Sequence, residues 1–264
     1  METFDEIETI RVICRVSPSR HSVKGQVYPK SDCISVIDDQ QLKLISQDGS
    51  ENKNNKEKIF RFRKIFTIDA TQVEVYEDIA DVVSSTIKGY NATIFAYGAY
   101  GAGKSYTMFG NNNNSPGIIP RAIENVFQHV NNSKREELNA LFNVEISFIE
   151  LYHNSYRNLL KPITDELARL EVIEDENLSG SELDDLLEKT LSSASFEGFL
   201  KKRPDLSYGM EKVIVVENAL DGVYLNAPNL RISVKDSAQA LKYANIGIQM
   251  KNLITSASNN ASSR

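Results

Sequence analysis

The chain has 264 residues, 41% hydrophobic and 25% charged, with a formal net charge of −6 and two cysteines. That is ample material for one large core or two small ones, while the acidic balance argues against a generic nucleic-acid binder, which needs a basic surface to neutralise phosphates. Two thiols are too few for a disulfide scaffold or a Cys-based zinc site, no apolar run approaches the roughly 20 residues of a membrane span, and the acidic start Met1-Glu-Thr-Phe-Asp-Glu6 does not read as a presequence, so the expectation is a cytoplasmic protein without membrane or nucleic-acid partners.

Thr9 to Val16 alternates as a first strand, ended by Pro18, which has no N–H for a ladder. Val36 to Ser46 predicts short paired strands, residues 47–57 an exposed polar loop, and Ile59 to Arg63 a further strand whose Arg61 and Arg63 form a solvated face. From Thr71 to Lys88 the apolar positions Val75, Ile79, Val82, Val83 and Ile87 recur at helical spacing, predicting one amphipathic helix. Thr71 with Glu74 makes a capping box at its start, and Gly89 closes it.

The sequence then reaches its most informative stretch. Ala92-Thr-Ile-Phe-Ala-Tyr97 reads as a short buried strand, Gly98-Ala-Tyr-Gly-Ala-Gly-Lys-Ser105 has the G-x-x-x-x-G-K-[ST] spacing of a phosphate loop, and Ser105-Tyr-Thr-Met108 opens a helix. Gly98, Gly101 and Gly103 let the backbone turn tightly and bring N–H groups up to phosphate oxygens with no Cβ in the way. Lys104 has the reach and charge for β- and γ-phosphates, and Ser105 supplies a hydroxyl for Mg²⁺. The alternative is a glycine-rich turn that ends in Lys-Ser by chance.

Downstream, residues 111–116 read as a short loop, Pro120 to Val130 as a helix with Ile123, Val126, Phe127 and Val130 inward, and Phe142 to Tyr152 as a strand. Residues 163–212 concentrate the acidity, with 13 Asp/Glu against 6 Lys/Arg, and contain a short amphipathic helix from Ser181 to Leu191. Val213 to Leu225 predicts a hairpin turning at Asp221-Gly222. Ser237 to Met250 predicts a helix with Ala240, Leu241, Ala244 and Ile248 inward.

Around the phosphate loop, Gly89-Tyr-Asn-Ala-Thr-Ile-Phe-Ala-Tyr-Gly98, Tyr106-Thr-Met-Phe-Gly110 and Gly117-Ile-Ile-Pro-Arg121 resemble consecutive signature blocks of the kinesin motor domain. Three more stretches carry the likeness. Phe142 to Tyr152 with Arg157-Asn-Leu-Leu160 resembles a block that usually ends D-L-L, Asn158 replacing the Asp; Arg15, Ser17 and Pro18 resemble the adenine-holding R-x-R-P, Ser17 replacing its second Arg; Asn259-Asn-Ala-Ser-Ser-Arg264 resembles the start of switch I, N-x-x-S-S-R-S-H. Inside the loop, Ala99, Tyr100, Gly101 and Ala102 stand where the family carries Gln-Thr-Gly-Ser or similar, and Ser105 replaces Thr. Tyr100 is the departure expected to crowd the loop or alter nucleotide affinity.

The resemblance implies a P-loop NTPase-type α/β fold, three-layer α/β/α with a central mixed sheet, over residues 9–264 as the N-terminal portion of a motor domain, with 163–212 as an insertion. It implies an ATP-binding microtubule motor that couples ATP hydrolysis to movement on the cytoskeleton, with ATP and Mg²⁺ as cofactors. Residues Gly98, Ala99, Tyr100, Gly101, Ala102, Gly103 and Lys104 would hold the phosphates, Ser105 and Ser263 the metal, and Arg15, Pro18 and Tyr106 the adenine, while Ser262, Ser263 and Arg264 would serve catalysis. No D-x-x-G-x-E occurs in these 264 residues. The expectation is therefore a segment ending within switch I that binds nucleotide but is not catalytically competent by itself. Two other readings stand beside it: a non-motor module that keeps nucleotide as a structural ligand and engages a partner through the acidic insertion, and another phosphate-loop NTPase such as a small-molecule kinase.

Overall fold

The structure, a computed structural model, describes residues 10–17, 33–46, 56–111, 115–136, 141–152, 155–161, 214–218, 222–226 and 230–261. The chain divides into two compact units, Met1–Val126 and Phe127–Arg264.

In the first unit the opening strand is shorter than its alternating pattern, β1 (Ile13–Arg15). Strands β2 (Ile34–Val36), β3 (Gln41–Ser46) and β4 (Lys56–Arg61) follow as an antiparallel meander. Lys56 and Glu57, read from sequence as loop, belong to β4 because they complete the ladder opposite Ser46 and Ile45. Strand β5 (Lys64–Phe66) then runs parallel to β1, with Ile13 opposite Lys64 and Arg15 opposite Phe66. One hydrogen bond extends this pairing beyond Arg15, from Val16 N–H to Phe66 O at 2.9 Å.

The predicted helix from Thr71 to Lys88 is two helices, α1 (Gln72–Glu77) and α2 (Ala80–Ile87). Neither Pro nor Gly stands at the break. Ile79 leaves helical geometry (φ −122, ψ 0) while staying buried, and the neighbouring Asp78 carboxylate is drawn to Lys64 Nζ at 2.9 Å. Helical spacing would bury Val75 and Ile79 on one face in an unbroken helix too, so what distinguishes the break is the ion pair of Asp78 with Lys64 at its edge. The capping box is present as read: Glu74 N–H donates to Thr71 Oγ1 at 3.2 Å, and Thr71 N–H donates to Glu74 Oε2 at 2.7 Å. Those bonds favour the ionised carboxylate and hold Glu74 below the usual range. Gly89 takes φ +92 just past the end of α2.

Residues 92–97, expected as a buried strand, join no ladder among the described residues. Their side chains still alternate, with Ile94 and Ala96 half-buried and Phe95 and Tyr97 exposed at 75% and 95%. Ile94 packs with Ile13, Ala70, Tyr76 and Met108 on the buried cluster Phe66, Val75, Ile79 and Ile118. Next come α3 (Lys104–Phe109) and a two-residue antiparallel pair, β6 (Gly110–Asn111) with β7 (Ser115–Pro116). Helix α4 (Ile118–Glu136) starts two residues before the expected Pro120. A proline in the first turn forfeits only an N–H that has no intrahelical acceptor.

In the second unit Phe127 and Val130 are buried, as the helical spacing predicts. The single strand expected over Phe142–Tyr152 is β8 (Glu145–Ile146) and β9 (Ile149–Tyr152), and β9 forms a hairpin with β10 (Ser155–Asn158). The two pieces part because they pair differently. After β10, Leu159 and Leu160 are fully buried, and Asn158 Oδ1 accepts from Leu160 N–H at 2.9 Å. Strands β11 (Ile214–Asn218) and β12 (Gly222–Asn226) form the predicted hairpin. The register pairs Asn218 with Gly222, which puts Gly222 in the strand and not in the turn.

Strand β13 (Ile232–Ser233) pairs antiparallel with β8. It leads into α5 (Ser237–Ala261), capped by Asp236 Oδ1, which accepts from Gln239 N–H at 2.8 Å. Ala240, Ala244 and Met250 are buried; Leu241 and Ile248 are only half-buried, and Tyr243 and Ile246 take the deeper places. The acidic segment 163–212 and its amphipathic stretch lie outside the described residues.

Gly247 of α5 sits directly against Phe148, so that a Cβ there would fall inside the ring, 2.6 Å from Cε1. Alanine gains about 1 kcal/mol of helix propensity over glycine, whereas forcing a methyl into a filled site costs about 1–3 kcal/mol. Gly247→Ala is therefore expected to lower the melting temperature. In a Phe148→Leu background the penalty should shrink, and equal penalties in both backgrounds would show that the ring is not what the glycine accommodates.

Candidate functional site

The site lies in the first unit, where the end of β1 meets the loop that precedes α3. Arg15, the last residue of β1, is half-buried, and its guanidinium donates to three acceptors. Nη1 donates to Gln72 Oε1 at 2.8 Å and to Thr107 Oγ1 at 3.1 Å, and Nη2 donates to Ala70 O at 3.3 Å. The guanidinium also lies over the Tyr106 ring, 5.2 Å from its centroid. Burial pulls the Arg15 pKa down and the Tyr106 hydroxyl opposes it; an arginine stays protonated through such a shift.

The loop is shaped by backbone conformations and one lysine. Gly101 and Gly103 adopt φ +79 and +90, in the left-handed region that costs other residues energy. Gly103 is the residue before α3, and its carbonyl accepts from Thr107 N–H at 2.9 Å. Lys104 Nζ reaches back across the loop and donates to Gly98 O at 2.9 Å and Ala99 O at 2.7 Å. Gly98 has its own reason to lack a side chain: a Cβ there would come within 3.2 Å of the Ala102 Cβ. Tyr100 is fully exposed at the loop tip, so the expected crowding does not occur.

Of the residues proposed from sequence, Arg15, the loop residues 98–105 and Tyr106 are brought to one place. Ser17 belongs with them, its Oγ lying 3.7 Å from where a Gly103 Cβ would stand. Pro18, Ser262, Ser263 and Arg264 lie outside the described residues. Ser105 is exposed at the start of α3.

Two participants were not read from sequence. Gln72 is 3% exposed, and its Nε2 donates to Tyr106 O at 2.7 Å; Thr107 supplies a hydroxyl acceptor to Arg15. Their signal was faint: Gln72 is a polar residue in the first turn of a capped helix, ordinarily solvated, and Thr107 follows the motif by two positions.

A cleft of about 480 Å³ in the same unit is lined by Lys64, Phe66, Asp69, Glu74, Glu77 and Asp78 among others, and by none of residues 98–105. Its carboxylates outnumber its one lysine, the wrong balance for phosphate. Among the described residues no His, Cys, Asp and Glu are grouped so as to hold a metal by themselves. A magnesium ion, however, is ordinarily held by one or two protein oxygens together with substrate phosphates.

The family profile described as the kinesin motor domain matches residues 15–202. Among curated proteins, the kinesin-like protein KIN-14T of Arabidopsis thaliana is 38% identical over 181 residues, 67% of this chain and 19% of that protein. The kinesin-like protein KIF27 of Homo sapiens is 36% identical, covering 63% of this chain and 11% of its own, and the kinesin heavy chain of Syncephalastrum racemosum is 32% identical, covering 60% and 16%. The chain thus spans between 11% and 19% of the length of these relatives. Among solved structures, one titled as that of a fast kinesin, with implications for its ATPase mechanism and interactions with microtubules, superposes with a TM-score of 0.63 at 22% identity, over 92% of this chain and 53% of that one. The fold is therefore the P-loop NTPase-type α/β fold expected from sequence.

The left-handed Gly103 makes the loop testable apart from any ligand. A methyl group there would meet only Ser17 Oγ, at an ordinary contact distance of 3.7 Å, which leaves backbone strain as its main penalty, so Gly103→Ala should cost about 1–2 kcal/mol in urea unfolding. Gly103→Asn should recover part of that, since asparagine tolerates the left-handed region. Equal stability of all three proteins would reject the conformation.

Proposed function

Because the chain belongs to the kinesin motor domain family, we propose that these residues form the nucleotide site of a microtubule motor, binding ATP as its magnesium complex and, within the whole protein, using its hydrolysis for movement along microtubules. Nucleotide binding is what membership of the family implies. The observation that carries it is the position of Lys104. An ammonium group has three donors, and two go to Gly98 O and Ala99 O. This braces the loop's first turn and leaves a third donor and the positive charge for phosphate oxygens.

The residues present suit the ligand. Gly101 and Gly103 keep the backbone free of Cβ atoms where phosphate must approach, and the first N–H groups of α3 have no intrahelical acceptor and are available to an anion. The exposed Ser105 hydroxyl would ligate magnesium, with Ser263 as the second hydroxyl that the resemblance implies. When bound, the ion supplies charge neutralisation at the β- and γ-phosphate oxygens. Arg15 and Tyr106 would border the base with Pro18, and Ser262, Ser263 and Arg264 would act at the γ-phosphate. The acidic segment 163–212 is proposed as an insertion in the motor domain.

Lys104→Ala removes both the brace and the charge. Hydrogen bonds to charged groups are worth about 1.5–3 kcal/mol, so MgATP affinity should fall on the order of ten- to a hundredfold in titration calorimetry. Equal affinity of wild type and variant would reject the phosphate-loop reading.

A further inference from the structure

We propose that Gln72 is a positioning residue of this site: its side-chain amide sets the placement of Arg15 and of the helix carrying Tyr106, and thereby governs recognition of the base end of the nucleotide separately from its phosphates. The inference rests on the nucleotide-binding reading above and names a residue that reading does not use.

Gln72 is 3% exposed, so both ends of its amide must find partners inside the protein. Oε1 accepts from Arg15 Nη1 at 2.8 Å and Nε2 donates to Tyr106 O at 2.7 Å. Chemistry fixes which way round the amide stands. A guanidinium can only donate and a peptide carbonyl can only accept, so the flipped amide would set donor against donor and acceptor against acceptor. The amide is in turn held from its own side, because Gln72 is the first residue of α1, directly after the reciprocal Thr71–Glu74 cap. A well-capped helix start therefore bears on β1 through Arg15 and on α3 through Tyr106.

What Gln72 touches is confined to one side of the site. Arg15 and Tyr106 stack at 5.2 Å, whereas Lys104 is braced by Gly98 O and Ala99 O with no contribution from Gln72. Loss of the amide should accordingly weaken ligands that have a base and spare those that have only phosphates. Loss of general stability would weaken both alike.

The test compares MgATP with magnesium tripolyphosphate in titration calorimetry on the 264-residue chain. For Gln72→Met, which keeps length and removes both hydrogen bonds, MgATP affinity should fall about tenfold while tripolyphosphate affinity stays within about twofold. In an Arg15→Met background the same substitution should cost MgATP affinity clearly less than it does in the wild type, because the bond to Arg15 is already gone and only the one to Tyr106 O remains to be lost. Gln72→Glu keeps the volume and the acceptor for Arg15 but loses the donor to Tyr106 O; it should show a smaller loss of the same selective kind, and it decides the matter should the Met variant fail to fold. An equal loss for both ligands, an unchanged ATP affinity, or additivity with Arg15→Met would overturn the role of Gln72. A wild-type chain that binds neither ligand would instead overturn the nucleotide reading, and this inference with it.

Discussion

A half-buried positive charge organises the first unit. The Arg15 guanidinium offers five donors and no acceptor, and drawing it out of water is tolerable only where acceptors are already in place. They come from separate stretches: the Ala70 carbonyl after β5, the Gln72 amide at the start of α1, and the Thr107 hydroxyl in α3. The strand that carries Arg15 is itself fixed by its parallel ladder with β5. Satisfying one charge thus ties the loop helix to β1, and Met108 of that helix and Ile13 of that strand both pack on the apolar cluster of Phe66, Val75, Ile79 and Ile118. Arg15 also opens the stretch that matches the kinesin motor domain.

Local chemistry made part of this legible in the sequence. The phosphate loop, the Thr71–Glu74 cap and the glycine after α2 depend on a few adjacent residues, and each stands where its pattern put it. Features that depend on distant partners were not legible. The break between α1 and α2 stands beside the ion pair of Asp78 with Lys64, a distant partner that leaves no mark on helical periodicity. Residues 92–97 have a strand's composition, but composition reports fitness for a pleated surface and is silent on whether a neighbouring strand is present to bond. Gln72 was missed for a similar reason, because a glutamine in the first turn looks solvated until an arginine far away in sequence turns towards it.

The loop's departures from the family pattern can be weighed by asking which atoms a phosphate would meet. In such a loop the backbone N–H groups and the lysine do the work, and side chains at the intervening positions matter only if they disturb the backbone. Ala99 and Ala102 are too small to do so, although a Cβ at position 98 would press on Ala102 Cβ at 3.2 Å. Tyr100 is large, yet it projects wholly into solvent while Gly101 and Gly103 absorb the turn on either side of Ala102. A tyrosine at the tip therefore leaves the cradle as it is. On the proposed nucleotide reading, its effect falls on whatever approaches the loop from outside, and the affinity of the cradle rests with Lys104 and the two left-handed glycines.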